Sequence, residues 1–318
     1  MSISKQNRNF FYDSRSLNYS FGANHPYNSL RLKNAVDNIV SHGLVCCNFD
    51  DASDTDMLSI HTDEYIEHLK HCSTGVKTKF KYGIGDGDTP SFPEMYDACR
   101  AVAGATKAAA DVLCRGDDLA FNMSGGLHHA RAHKASGFCA VDDIALGINT
   151  LLGRFDKVAY LDIDLHHGDG VEDRYAGNRR VLTASVHQFG FGFYPGTGEN
   201  SEDGDYINEP LDAGTPGYIW LHAVSRLISD IKIYNPDVIV LQCGVDSHYS
   251  DPLGSLNVTA REWFEAIQKV REIDKPMLVL GGGGYNHKNP ARMWAAAVLS
   301  LCDMKFEDTW LEDDHAPF

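Results

Sequence analysis

Five short runs rich in Val, Ile, Leu, Phe and Ala recur through the last two-thirds of the chain, at 119–123, 157–165, 181–186, 237–243 and 277–280. They are apolar almost without alternation. Strands read that way when both faces are covered, as in a parallel sheet. Segments with helical spacing lie between and after them, at 143–152, 216–233, 259–273 and 290–301. Strand–helix alternation of this kind defines an α/β fold with a mostly parallel, doubly wound central sheet. Upstream, helices are predicted over 29–42, 62–72 and an alanine-rich 93–116, whereas the first 25 or so residues show no period. No linker, low-complexity tract or internal repeat divides the chain, so a single domain over 1–318 is expected.

In an open parallel sheet, ligands bind beyond the carboxyl ends of the strands. Here the apolar runs give way to polar loops: SGGLHH at 124–129, DLHHGD at 164–169, the segment 187–198, GVDSHYSD at 244–251 and GGGGY at 281–285. One shared site is therefore predicted. Asp162, Asp164 and His166 alternate along YLDIDLHH, on one side of the strand if it stays extended. Two carboxylates and an imidazole suit a divalent metal such as zinc, and buried carboxylates are costly without a cation or hydrogen bonds. Asp246, where DVIVLQCGV ends, reads alone as a cap or turn residue; beside that cluster it is the natural third ligand. Asp, His and Asp leave a coordination position open, as catalytic zinc requires.

His128 and His129 follow a Gly-Gly turn and could be ligands, acid–base groups or plain loop residues. Asp162 and Asp169 are available to orient them, which fixes a tautomer and tunes basicity. Gly281–Gly284 fits neither phosphate-binding glycine pattern. It instead lets the backbone approach closely and presents Tyr285, a phenol suited to a developing oxyanion. No serine or cysteine has a nucleophile's surroundings.

Asp and Glu number 44 against 28 Lys and Arg, a net charge of −16. That argues against a basic nucleic-acid surface and disfavours anionic membranes, while steering cationic partners such as lysine-rich peptides. No run approaches the ~18 apolar residues of a membrane span, and the N-terminus lacks the apolar stretch of a secretory signal. Eight cysteines without a CxxC pair read as reduced thiols in a cytoplasmic protein.

The segments NHPYNSLRL, HTDEYIEHL, SGGLHHARAHKASGFCAVDD, YLDIDLHHGDGVEDRY, FYPGTGE, DSHYSDPLGSLNVT and LGGGGYN follow one another in order. Together they resemble the class I-like histone deacetylases and the bacterial acetoin-utilisation proteins of the arginase/deacetylase superfamily, over about 25–294. Asp169 stands where class II relatives carry Asn. The resemblance implies an arginase/deacetylase-like domain and Zn²⁺-dependent removal of acetyl or related acyl groups from lysine side chains of proteins or peptides. It implies Asp164, His166 and Asp246 as metal ligands. His129 is then the general base and later the acid, oriented by Asp169; His128 is its electrostatic partner, oriented by Asp162; Tyr285 polarises the carbonyl. Gly137, Phe138 and Tyr194 line a tunnel for the lysine stem, Asp88 holds the substrate backbone at the rim, and Arg31 belongs to an internal channel. A structural K⁺ or Na⁺ is implied near Asp162, Asp164, His166, Ser185 and Val186. Tyr194 replaces the usual tunnel phenylalanine, and its hydroxyl is expected to disfavour long acyl chains. Leu253 stands where polyamine-specific relatives carry a Glu, which leaves acetylpolyamines as the alternative substrate. The segment 201–207 looks shorter than in the family, which would open the rim.

Overall fold

The computed structural model describes residues 8–75, 79–85, 87–201 and 206–313. Among these the elements run β1 (Asn9–Phe11), α1 (Leu30–Ser41), β2 (Cys46–Cys47), α2 (Asp54–Ile60), α3 (Asp63–Cys72), α4 (Met95–Cys114), β3 (Leu119–Asn122), α5 (Asp143–Leu152) and β4 (Val158–Asp162). They continue with α6 (Asp169–Tyr175), β5 (Val181–Gln188), β6 (Tyr206–Leu211), α7 (Gly217–Tyr234), β7 (Val238–Gln242), α8 (Ala260–Arg271), β8 (Met277–Leu280) and α9 (Lys288–Leu301). The strands form one sheet in the order β2-β1-β3-β8-β7-β4-β5-β6. Every pairing is parallel.

The apolar runs are buried on both faces, as their composition requires. Every residue of β3, β4, β7 and β8 is buried. On one face Leu161, Leu241 and Val279 pack with Trp220 of α7, Trp263 of α8 and Trp294 of α9. On the other, Tyr160, Val240 and Leu278 meet Ala105 and Ala109 of α4 and Ile144 and Ile148 of α5. Small alanines on α4 let that helix approach closely, and alanine is also the strongest helix former. A third cluster, built on Tyr65, Met95, Val102 and Val141, has Phe138 and Tyr285 packed against it. Helix starts are set by local chemistry: Ser53–Asp56 and Thr259–Glu262 form capping boxes on α2 and α8.

The five apolar runs are β3, β4, β5, β7 and β8. β4 is shorter than predicted, because the Asp162 carboxylate accepts the Asp164 N–H at 3.1 Å and turns the chain out of the ladder. Asp164 and His166 therefore sit on a turn, not on an extended strand. β1, β2 and α6 are too short to show a period in the sequence. β6 is an edge strand carrying Pro210, the one place in a sheet where proline is readily accepted. Positions 202–205, the middle of the segment expected to open the rim, lie outside the described residues. No helix among the described residues is long and apolar enough to cross a membrane.

Candidate active site

All five predicted loops converge at the carboxyl ends of β3, β4, β5, β7 and β8. Asp164, His166 and Asp246 present ligand atoms within 4.8 Å of one another. Their orientation is fixed from outside. Asp164 Oδ2 accepts from Gln242 Nε2 and from the Gly283 N–H, both at 2.7 Å. Asp246 Oδ1 accepts the Leu165 N–H at 2.9 Å. The remaining oxygens lie 3.3 and 3.1 Å from His166 Nδ1.

The donor set fits a divalent ion such as zinc: two anionic oxygens and an imidazole nitrogen, all protected from water. Burial, and next the Asp164 charge, raise the Asp246 carboxyl above the usual carboxylate range. A cation between the two acids relieves that repulsion. A Cβ on Gly244 would overlap Asp164, and one on Gly283 would overlap Asp246. The backbone is thus drawn against both carboxylates.

Two His–Asp pairs stand beside this cluster. His128 Nδ1 lies 2.7 Å from Asp162 Oδ2, and His129 Nδ1 lies 2.6 Å from Asp169 Oδ1. The two rings are 3.9 Å apart. Burial depresses both imidazoles. For His128 the charges of Asp162 and Asp164 outweigh it and raise the pKa to about 9. For His129 burial is reinforced by His128, and the pKa falls to about 3 despite Asp169. Adjacent groups pushed in opposite directions are how acid and base roles separate. Sequence reasoning missed two orienting residues. Tyr160 donates its hydroxyl to Asp162 Oδ2 at 2.6 Å, and Arg131 Nη2 donates to Asp169 Oδ2 at 2.7 Å. The period of YLDID and the basic residue in HHAR were the available signals.

A cavity of about 330 Å³ opens above the cluster. His129 and His166 form part of its lining, with Phe138, Phe193, Tyr194 and Tyr285 as aromatic walls and Asp88 and Leu253 also against it. Phe193, not singled out from sequence, stacks on His166 at 5.4 Å. Gly137 (φ 51°) faces the His129 ring so closely that a Cβ would overlap it. Asp88 Oδ2 accepts the Gly137 N–H at 3.2 Å. Arg31 is buried; Nη1 donates to Gly284 O at 3.2 Å and the guanidinium lies 4.2 Å over the Tyr27 ring. Ser185 pairs with Asp162 in the β4–β5 register, beside Val186. Phe191, also missed, is fully exposed next to Gly192 of the cavity wall. A second cavity of about 290 Å³, lined by Asp118, Arg271 and Lys275, lies at the amino ends of the strands, away from these groups.

One expectation changes. The Tyr194 hydroxyl lies 2.6 Å from Ser136 Oγ, so its polarity is satisfied within the wall and not offered to the acyl chain. Tyr194→Phe is expected to leave the ratio of long-acyl to acetyl-lysine turnover unchanged, measured on a panel of acyl-lysine peptides. A rise in that ratio would restore the sequence-based expectation.

Behind the dyads, His61 is buried and bridges two loops. Its Nδ1 faces Arg131 O at 3.1 Å, and its Nε2 accepts the Asp142 N–H at 3.1 Å. Burial, then the nearby Arg174 charge, lower its pKa from 6.5 to about 4. The unfolded chain therefore takes up a proton that the folded one refuses between those values. This contribution is complete above pH 6.5 and is lost as pH falls towards 4, a cost of up to about 3 kcal/mol. His61→Gln should flatten the acid limb of thermal stability plotted against pH. Parallel curves for both proteins would show that His61 does not carry it.

An all-parallel sheet with carboxylates, imidazoles and a phenol gathered at its strand ends defines an arginase/deacetylase-like hydrolase. The chain belongs to the histone deacetylase family: residues 25–301 match the histone deacetylase domain. Histone deacetylase clr6 of Schizosaccharomyces pombe is 37% identical over 335 residues, covering 100% of this chain and 82% of the relative. Histone deacetylase RPD3 of Saccharomyces cerevisiae is 38% identical over 302 residues, covering 90% and 69%. Histone deacetylase 9 of Arabidopsis thaliana is 36% identical over 335 residues, covering 99% and 78%. The class I-like assignment made from the motifs agrees with these relatives.

Proposed function

We propose that this chain, folded as one domain, removes acetyl or related acyl groups from lysine ε-amines of proteins or peptides as a zinc-dependent amidohydrolase. The observation that carries the reading is the convergence of His129, Tyr285 and the Asp164–His166–Asp246 cluster at one cavity. A zinc ion held by those three residues supplies Lewis acidity and acidifies water. Asp169 occupies His129 Nδ1, so Nε2 is free to take a proton from attacking water and return it to the departing amine. His128, held by Asp162, sets the field around that base. Tyr285 donates its hydroxyl to the carbonyl oxygen as charge develops there. Gly137, Phe138 and Tyr194 enclose the lysine stem, Leu253 borders the mouth, and Asp88 engages the peptide backbone. The same reading gives Arg31 an internal channel beneath the site. It also gives a K⁺ or Na⁺ a structural place at the adjoining ends of β4 and β5, on Asp162, Asp164, His166, Ser185 and Val186. The eight cysteines are free, which supports a reducing, cytoplasmic compartment. The charge of −16 supports a cationic partner over nucleic acid.

The fully exposed Phe191 favours a peptide over a small acetylated amine, since only a peptide extends past the mouth to cover it. The test compares acetyl-lysine peptides with N-acetylputrescine. Phe191→Ala should raise KM for peptides roughly three- to tenfold, the worth of an aromatic contact, and leave N-acetylputrescine unchanged. Preferential turnover of N-acetylputrescine by the wild type would replace this reading with acetylpolyamine hydrolysis.

A further inference from the structure

Tyr285 follows four glycines, so no side chain in the preceding loop fixes the direction in which it leaves the backbone. Gly282 (φ 153°) and Gly284 (φ 135°) occupy backbone conformations that other residues rarely adopt, and glycine allows many others besides. Something outside the loop must select this one. The peptide linking Gly284 to Tyr285 is held at both ends. Its carbonyl accepts from Arg31 Nη1 at 3.2 Å, and its N–H donates to Asp251 Oδ2 at 2.7 Å.

Asp251 is built for this purpose. It is only 5% exposed and receives three backbone donors: Tyr285 N–H at 2.7 Å, Asn286 N–H at 3.2 Å and, on the other oxygen, Leu253 N–H at 3.0 Å. Its own N–H donates to His248 O at 2.8 Å, which anchors the turn after β7. Asp251 neither lines the cavity nor belongs to the metal-ligand cluster. We infer that Asp251 is a positioning residue: it fixes the Gly284–Tyr285 peptide plane, and through it the Tyr285 hydroxyl, while seating Leu253 at the cavity. The inference rests on the reading of Tyr285 as oxyanion donor. A neutral amide offers one acceptor oxygen and could not replace both Oδ1 and Oδ2; a buried carboxylate can accept from all three with charge-assisted bonds.

The test is a double-mutant cycle on the metal-loaded protein, using an acetyl-lysine peptide and measuring kcat, KM and zinc content. The variants are Tyr285→Phe, Asp251→Ala and the two combined, with Asp251→Asn as the conservative replacement that keeps the volume and one acceptor. Displacing a reacting group by about 1 Å costs on the order of 10²-fold, so Asp251→Ala should lower kcat by roughly that factor with KM and zinc unchanged. Asp251→Asn should recover part of the loss. In the Tyr285→Phe background, Asp251→Ala should add nothing, because the hydroxyl it positions is already gone. A merely structural role predicts losses that multiply. Multiplying losses, or an Asp251→Ala enzyme with wild-type kcat, would overturn the inference while the Tyr285→Phe loss still upholds the phenol's role. Should Asp251→Ala not fold, the same cycle with Asp251→Asn decides between the two. A Tyr285→Phe enzyme of wild-type activity would overturn both, and is recognised from that single variant.

Discussion

Alanine at Asp164, His166 or Asp246 is expected to remove bound metal and reduce deacylation to background. Each residue supplies one of the three ligand atoms gathered within 4.8 Å, and no other group of that kind occurs among the described residues. Loss of a single ligand leaves two, fewer than the three that catalytic zinc sites use. The three variants should differ in what they leave behind. His166→Ala keeps both buried acids and removes the nitrogen that lies between them. Asp246→Ala removes one acid, and with it the repulsion between the pair. It should therefore unfold at a higher temperature than His166→Ala when both are prepared free of metal. Elemental analysis reads the first effect and thermal unfolding the second. One equivalent of zinc retained in all three variants would sink the ligand assignment. A hydroxamate, which chelates metal, should inhibit the wild type, and its binding should be lost once zinc is stripped.

Gln242 tests the same site less directly. Its amide holds Asp164 Oδ2 at 2.7 Å from the last position of β7. A residue that aims a ligand typically costs about 10–100-fold in metal affinity when replaced. Gln242→Leu should weaken zinc binding by that factor in a chelator competition, without abolishing turnover at saturating metal. Unaltered zinc affinity would show that the Gly283 N–H alone suffices to aim the carboxylate.

Legibility in the sequence followed the length of each signal. β3, β4, β5, β7 and β8 were readable because runs such as VIVLQ and MLVL are buried on both faces and carry no compensating polarity. The site residues were readable for the converse reason: Asp162, Asp164, His166 and Asp246 are polar groups where those buried runs end. β1 and β2, with three and two residues, offer too little chain for a period. β6 mixes Asn, Glu and Pro because an edge strand needs only one ladder. The orienting residues were hidden differently. Tyr160, two residues from Asp162 on the same strand, left its signal in the period of YLDID. Arg131 and Gln242 act across 38 and 78 positions of sequence, and only the fold brings β4, β7 and the SGGLHH loop together. Ser136 was unreadable as the partner of Tyr194 for the same reason, 58 residues away, and the acyl-chain expectation changed with it.

Tyr285→Phe and His129→Ala should both keep zinc and yet fail in different ways. Tyr285 is proposed to stabilise negative charge on the carbonyl oxygen through one hydrogen bond. Phenylalanine removes that donor and keeps the ring, which packs 5.6 Å from Phe138 in the cavity wall. Losing one oxyanion donor costs about 10²–10³ in kcat, or roughly 3–4 kcal/mol. Substrate should still bind, because the contacts made before charge develops survive, so KM should move little. His129→Ala removes the proton acceptor itself, a contribution of typically about 10²–10⁴. Among the described residues, it also leaves Asp169 with Arg131 as its remaining side-chain hydrogen-bond partner. The activity that survives should no longer show the pH dependence due to the imidazole, whereas Tyr285→Phe should keep that dependence at a lower plateau. Near-full turnover by Tyr285→Phe on acetyl-lysine would mean that the phenol does not face the carbonyl, or that the true substrate needs no such donor. That result would shift the assignment to an ester or activated-acyl hydrolase on the same fold.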